Sequence, residues 1–352
     1  MEFDALVVGA SVAGCRTAEL IASRGYKVAI VEEHEKIGFP SKCTGLVSWR
    51  LKELLPELPN DVIVNMVNRA KFFSPSGISF VLKSKKPVYV IDRKKLDQYL
   101  FSRALEKGCK PFLSRRFVSF KKEKGIAITT RENIKTKLLI GADGANSTVA
   151  KVASIKQPSK ILVGLQSTIK GKFEEDCVEL WFGRKIAPNF FAWVVPENSN
   201  KARVGLATNK NAVYFFKKFL KKRVGRIARP DTAGMLRLGL IEESVGEKVL
   251  LVGDAACQVK PFSGGGIVYA LIASEACAEA CCKALENEKY DKNSLKKFYE
   301  SVWKKKLDKA IKTGMTYRKI LSNLSDWQLD LLFAGIRNFG RKILEGFDMD
   351  FL

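Results

Sequence analysis

The largely apolar run Phe3–Val8 stops abruptly at Gly9-Ala10-Ser11-Val12-Ala13-Gly14. A helix-like stretch, Cys15–Arg24, follows, and Gly25-Tyr26-Lys27 turns the chain into a second apolar run, Val28–Val31, which ends at Glu32-Glu33. Strand, glycine turn, helix, strand and acid in that order predict a βαβ unit, so the first two strands are parallel and a helix covers one face of their sheet. Gly9 permits the tight turn, and Gly14 lets helix and strand approach closely. Ser11 stands where a middle glycine is usual, so the backbone's approach to the pyrophosphate must tolerate a small side chain. Glu32 lies 18 positions after Gly14, placed to accept hydrogen bonds from ribose hydroxyls. The unit predicts a dinucleotide ligand.

A second signal lies far along the chain. The run Lys248–Val252 reads as a buried strand and ends at Gly253-Asp254; then come Pro261-Phe262-Ser263-Gly264-Gly265-Gly266 and a helix-like segment, Ile267–Leu285. The Asp254 carboxylate can accept hydrogen bonds from sugar hydroxyls. The free N–H groups of a helix that opens on three glycines favour negative charge beside them. A third signal is Leu138–Ile140 running into Gly141-Ala142-Asp143-Gly144, preceded by Arg93, which opens a helix reaching about Lys107.

Together, Gly9–Gly14, Glu32, Arg93, Gly141–Gly144 and Gly253-Asp254 resemble the FAD-dependent oxidoreductases of the para-hydroxybenzoate hydroxylase fold. Two further segments resemble the geranylgeranyl reductases within that group, in particular the archaeal enzymes that saturate the isoprenoid chains of membrane lipids. One is Pro40-Ser41-Lys42-Cys43-Thr44-Gly45, similar to their cysteine-bearing loop. The other is Phe191-Ala192-Trp193-Val194-Val195-Pro196 with Gly205 nine residues on, similar to a Tyr-x-Trp-x-Phe-Pro substrate motif with Phe and Val replacing Tyr and Phe. The resemblance runs from the N-terminus to about residue 285.

The resemblance implies FAD as cofactor. The implied cofactor residues are Gly9, Ala10, Ser11, Ala13, Gly14, Glu32, Glu33, Cys43, Thr44, Gly45, Arg93, Gly141, Asp143, Gly144, Gly253, Asp254, Pro261, Gly264, Gly265, Gly266 and Ile267. It implies substrate contacts at Phe191, Trp193, Pro196 and Gly205, and catalytic roles for Cys43 and Trp193. The implied substrate is an isoprenoid lipid, and the reaction is saturation of its C=C bonds. An isolated alkene is electron-rich, so protonation must lead or accompany hydride delivery, and an aromatic face such as Trp193 or Phe191 stabilises the cationic character. Cys43 or a bound water is the candidate proton donor. Only one dinucleotide fingerprint is present, so electrons are expected from visiting NAD(P)H or from reduced ferredoxin. Three other readings stay open: a monooxygenase or halogenase of the same fold, whose Trp-x-Trp-x-Ile-Pro type segment Phe191–Pro196 half matches; an electron-transfer dehydrogenase feeding a quinone; and a non-enzymatic, basic, FAD-bound scaffold or lipid-binding protein.

The expected architecture is α/β, with a Rossmann-like FAD-binding domain built from residues 1–60, 85–155 and 245–288. Residues 61–84 and 156–244 alternate as strands and predict an antiparallel-sheet substrate domain of α+β type. Residues 289–352 predict a C-terminal helical cap, broken near Gly314 and Asn323–Ser325, with basic amphipathic helices over 295–312 and 326–345. With 352 residues and 46% apolar content, the chain can bury a large core. No run of about 18 apolar residues occurs, and no targeting segment is expected because the first strand begins at once, so the reading is of a cytoplasmic protein.

Net charge is +24 and uneven: residues 201–230 hold ten Lys or Arg and no Asp or Glu. Val213, Phe216, Phe219, Leu220, Val224 and Ile227 recur there at helical spacing, opposite Lys217, Lys218, Lys221, Lys222 and Arg223. Such a helix either seats the protein peripherally on an anionic membrane, at about 1 kcal/mol per basic residue, or packs on its own domain with a solvated basic face. The same charge would draw an acidic electron-transfer protein. No base-reading module accompanies it, so no nucleic-acid partner is expected. The eight cysteines lack zinc-site spacing, and the single histidine, His34, reads as a loop residue without a catalytic setting, so no metal site is expected.

Overall fold

The computed structural model describes residues 2–340 and 350, with the side chains of 339 and 340 left aside. The strands in chain order are β1 (Glu2–Val8), β2 (Val28–Val31), β3 (Leu46–Ser48), β4 (Ile63–Phe73), β5 (Ser79–Ile91), β6 (Lys110–Phe112), β7 (Phe117–Lys121) and β8 (Ile126–Thr129). They continue with β9 (Asn133–Gly141), β10 (Ile161–Lys170), β11 (Cys177–Phe182), β12 (Phe191–Asn198), β13 (Lys201–Thr208), β14 (Thr232–Arg237), β15 (Val245–Gly246) and β16 (Val249–Leu251). The helices are α1 (Val12–Ala22), α2 (Arg50–Leu54), α3 (Arg93–Glu106), α4 (Thr148–Val152) and α5 (Ala212–Val224). Then come α6 (Ile267–Glu286), α7 (Lys292–Leu295), α8 (Ser301–Asn323) and α9 (Asp326–Gly335).

These elements form two compact units. The first comprises Met1–Phe39, Lys94–Lys160 and Arg237–Lys312; the second comprises Pro40–Arg93, Ile161–Leu236 and the described residues from Thr313 on. Residues 40–60 and 85–93, read from sequence with the dinucleotide-binding pieces, lie in the second unit, because β3 pairs with β5 and β5 with β4 in one antiparallel run. The expected helical cap is divided as well, with residues 289–312 in the first unit and the rest of its described part in the second.

In the first unit the sheet order is β15-β16-β9-β1-β2-β6, with β7 and β8 attached through β9. β1 runs parallel to both β2 and β9, β9 parallel to β16, and β2 parallel to β6. Parallel strands buried on both faces call for continuous apolar runs, and Leu6, Val7, Ala29, Ile30, Leu139, Ile140, Leu250 and Leu251 are all fully buried. Helices α1 and α6 pack together, with the Ser274 hydroxyl donating to Ala13 O at 3.1 Å. Behind β16, the Tyr299 hydroxyl donates to Leu251 O at 2.7 Å and accepts from Gln258 Nε2 at 2.9 Å. Gln258 Oε1 in turn accepts from the Gly253 amide at 2.7 Å, fixing the Gly253-Asp254 turn.

In the second unit the sheet order is β14-β10-β13-β12-β11-β4-β5-β3. The expected antiparallel sheet is mixed: β11 runs parallel to β4, whereas β10–β13, β13–β12, β12–β11, β4–β5 and β5–β3 are antiparallel. One face buries Leu165, Ala192, Val194, Val204 and Leu206 beneath α5, whose Phe216, Phe219 and Leu220 are at most 2% exposed. Most of the apolar face of α5 is therefore spent on the core, while its lysines, with Val213 and Tyr214, face outward. The other face carries Phe72, Phe80, Phe182, Phe191 and Trp193 against Leu329 and Phe333 of α9.

Helix α8 runs unbroken through Gly314, against the expected break. A helix-interior glycine costs only about 1 kcal/mol, which the burial of Trp303, Leu307 and Ile311 on the same helix offsets. The break near Asn323–Ser325 is present, with Ser325 and Gln328 forming a capping box on α9. Helix α9 carries Asp326 and Asp330 and no Lys or Arg, so its described turns are not basic, and residues 341–345 of that expected helix lie outside the described residues. Among the described residues no helix is long and apolar enough to cross a membrane, and no cluster of three His, Cys, Asp or Glu is placed to hold a metal ion.

Candidate cofactor and active sites

The first unit gathers the sequence-predicted dinucleotide residues at the ends of its parallel strands. Gly9 closes β1 with φ +103°, and a Cβ there would lie 2.5 Å from Ala142 O. A Cβ on Gly14 would be driven into Gly9 O. The turn after β1, the first turn of α1 and the turn after β9 thus meet at separations only glycine allows. Ser11, in the third position of this turn, directs its hydroxyl to Asp97 of α3 at 3.1 Å. It starts α1 without capping it by side chain. Gly266 likewise starts α6 with no side-chain cap, whereas α4, α5, α7 and α9 are capped by Ser147, Asn211, Asp291 and Ser325. At α1 and α6, each opening on a glycine-bearing turn, the absence of a side-chain cap leaves N–H donors and the positive dipole end for a ligand's negative groups.

Glu32 ends β2 with both carboxylate oxygens engaged. Oε2 accepts from the Ala10 amide at 2.9 Å, and Oε1 accepts from the His34 amide at 2.9 Å and lies 2.6 Å from His34 Nδ1. His34, read from sequence as a plain loop residue, therefore orients the acid; a His two positions beyond the acid was the available signal. Glu33 is half exposed, with its carboxylate 3.9 Å from His34 Nε2. Beyond β9, Asp143 caps α4: Oδ1 accepts from the Ser147 hydroxyl at 2.6 Å, and Oδ2 accepts from the Thr148 and Val149 amides at 2.6 and 3.0 Å. Burial pushes its carboxyl above the ordinary range, against the pull of those hydrogen bonds. Gly141 and Gly144 flank it, the latter at φ +79°.

Gly253-Asp254 begins a short 3₁₀ turn after β16, and the chain returns through Pro261 to Gly264–Gly266. Asp254 Oδ1 lies 2.9 Å from where a Gly266 Cβ would stand, so this exposed carboxylate and the opening of α6 at Ile267 share one locus. Lys260 folds against the same loop, its Nζ 3.3 Å from a Gly265 Cβ position.

The second unit brings together the other predicted residues. Arg93 ends the first segment of this unit and opens α3, as the sequence predicts. Phe191, Trp193 and Pro196 lie on β12, and Gly205 on β13 pairs directly with Trp193. A Cβ at 205 would lie 2.7 Å from both Cε2 and Cζ2 of the indole, so the glycine makes room for the ring to lie across its strand. The Trp193 indole N–H reaches Gln166 Oε1 on β10 at 3.0 Å. Phe191 stacks on Phe190 at 4.2 Å and meets Trp193 edge-on at 6.2 Å.

The Cys43-Thr44-Gly45 turn sits in the same unit. The Gly45 amide donates to Cys43 Sγ at 3.3 Å, and the Thr44 hydroxyl donates to Gln166 Oε1 at 2.9 Å. The guanidinium of Arg203, itself 8% exposed, donates to Thr44 O at 2.6 Å, to Ile91 O at 2.8 Å and to Glu197 at 2.7 Å. Burial works to raise the Glu197 carboxyl, but hydrogen bonds from Lys201 and Arg203 hold it below its ordinary value. Cys43 is the one partly exposed thiol of the eight. Sequence reasoning missed Gln166 and Arg203. The signal was a charge between Ala202 and Val204 on β13 and an amide after Leu165 on β10.

A glycine-lined turn at the end of a parallel strand, an acid at the end of the next, and the glycine-bearing N-termini of α1 and α6 are the features of a dinucleotide-binding protein. An FAD binding domain family model matches residues 2–203, and the chain belongs to that family. FAD is its cofactor, and the protein is an FAD-dependent oxidoreductase. An uncharacterized protein of Methanocaldococcus jannaschii is 31% identical over 346 residues, covering 94% of this chain and 87% of the relative. The digeranylgeranylglycerophospholipid reductase of the same organism is 28% identical, covering 99% of this chain and 93% of the relative. The crystal structure of a geranylgeranyl bacteriochlorophyll reductase-like protein from Thermoplasma acidophilum shares the fold, with a TM-score of 0.87 at 24% identity over 96% of this chain and 92% of that one. A flavin-dependent brominase shares the fold at a TM-score of 0.75 and 15% identity, over 100% of this chain and 95% of that one.

Proposed function

We propose that the protein reduces the isoprenoid double bonds of geranylgeranyl membrane lipids or their precursors. The observation that carries the reading is the pairing of a partly exposed thiol turn, Cys43–Gly45, with an aromatic strand face, Phe191 and Trp193, through one buried glutamine. Near-full-length similarity to reductases of that name supports it. Reduced FAD supplies the hydride. This chain's residues do the rest: the apolar face of β12 excludes water from the alkene, and the Trp193 ring stabilises positive character on the tertiary carbon. The Cys43 thiol is the assigned proton donor to the other alkene carbon. In each cycle one hydride and one proton add across the bond, and the thiolate left behind recovers its proton from solvent.

NAD(P)H or a reduced ferredoxin supplies the electrons on this reading, and the lysine face of α5 suits an acidic protein or an anionic membrane surface. The test is anaerobic. The flavin is reduced with dithionite, a geranylgeranyl lipid is added, and the flavin spectrum and lipid mass are followed. Flavin reoxidation with a gain of two hydrogens per bond supports the reductase. Reduced flavin that is stable until air is admitted refutes it and favours oxygen chemistry of the monooxygenase or halogenase kind. Cys43→Ser that retains both FAD and full turnover removes the thiol from the mechanism.

A further inference from the structure

Gln166 is 4% exposed, on β10 between Leu165 and Ser167. It occupies one rung of the second unit's sheet: Gln166 pairs with Gly205, and Gly205 with Trp193. Paired residues share a face, and the middle one has no side chain, so the indole spans the gap and its N–H meets Gln166 at 3.0 Å. An indole N–H only donates, so the atom it meets is the amide oxygen. The Thr44 hydroxyl donates to that same oxygen at 2.9 Å. One buried atom therefore ties the residue next to Cys43 to Trp193.

We propose that Gln166 is a positioning residue that holds the Cys43 turn and the Trp193 ring in a single geometry. The proposal rests on the reductase reading for the roles of those two residues, and on the hydrogen bonds alone for the tether. Arg203 fixes the backbone of the turn through Thr44 O. Gln166 fixes its lateral position relative to the ring. Loss of the shared acceptor leaves two donors unpaired and frees the turn to move independently of the indole. Angstrom-scale displacement between a proton donor and a cation-stabilising ring lowers turnover far more than it weakens binding.

The experiment compares holoenzyme of the wild type with Gln166→Leu, Gln166→Glu and Thr44→Val. Hydrogen–deuterium exchange is read over residues 41–46, and kcat and KM are measured with a geranylgeranyl lipid. Q166L raises exchange in 41–46 and lowers kcat, each by about tenfold, with KM within about twofold. Exchange in β1 stays at the wild-type rate. Q166E keeps an acceptor oxygen and restores both quantities to within about twofold of wild type. Should Q166L fail to fold, T44V deletes one of the two bonds with little change of shape and produces the same pattern at smaller size. Wild-type exchange and kcat in Q166L, or a Q166E no better than Q166L, overturns the proposal. A wild type that never transfers hydride to the lipid overturns the reductase reading instead, and the exchange measurement then still decides whether the tether exists.

Discussion

Replacing Gly205 with alanine tests the aromatic rung directly. The new Cβ would stand 2.7 Å from two carbons of the Trp193 ring and 2.7 Å from Leu165 O, where ordinary contact begins near 3.4 Å. The backbone oxygen belongs to a paired strand and cannot retreat far, so the indole must move. Overpacking of this kind costs about 1–3 kcal/mol. Withdrawal of the indole N–H from Gln166 adds about 1 kcal/mol. The expected total is about 2–4 kcal/mol, read as a lower urea midpoint at fixed, saturating FAD. The same substitution in a Trp193→Ala background meets only Leu165 O and costs about 1 kcal/mol, so the double-mutant cycle shows coupling of at least about 1 kcal/mol. A G205A protein within about 0.5 kcal/mol of wild type, or one destabilised equally in both backgrounds, refutes the reasoning.

Gly14→Ala drives a methyl group into Gly9 O and separates β1 from α1, so the purified protein loses its flavin absorbance or does not accumulate; yellow G14A protein with wild-type flavin content contradicts the turn geometry. Iodoacetamide at neutral pH labels Cys43 first, because the other seven thiols are buried and burial pushes Cys109 and Cys257 up to about 12 and Cys177 up to about 11; peptide mass mapping that finds another cysteine modified earlier would contradict this. The Glu243 carboxyl is held down at about 2, first by its hydrogen bonds to Lys292 and then to Lys296. Its folded value lies below the unfolded one, so its contribution is present above about pH 4.5 and lost as pH falls toward 2. Glu243→Gln flattens that part of the acid-denaturation curve only modestly, since the pair is partly exposed and salt-screened, and no change in low salt would show that the pair contributes nothing.

The dinucleotide half was legible because its signals are local. Gly9–Gly14, Glu32 and Gly253–Gly266 each mark a strand end by a glycine turn beside an apolar run, and the backbone forms those turns wherever the fold carries them. The cysteine turn and the Phe191–Pro196 strand were legible only by resemblance. Helix α5 shows the limit of periodicity. Its apolar stripe and lysine face are identical for a helix on a membrane and a helix on a sheet, and only packing on Val204 and Leu206 distinguishes them.

By itself, the amino-acid sequence determined the parallel βαβ start and the strand–turn–helix elements of the candidate flavin site. The tertiary structure alone decided what holds them. Gln166, Gly205 and Trp193 lie on three strands up to 39 positions apart and become neighbours only through strand register. His34 acquires a role only because the chain turns its ring back onto Glu32. Hydrophobic period and glycine spacing report which face of a strand is buried. They carry no information about which residue stands opposite, because register is set by the pairing of whole strands and the turns between them.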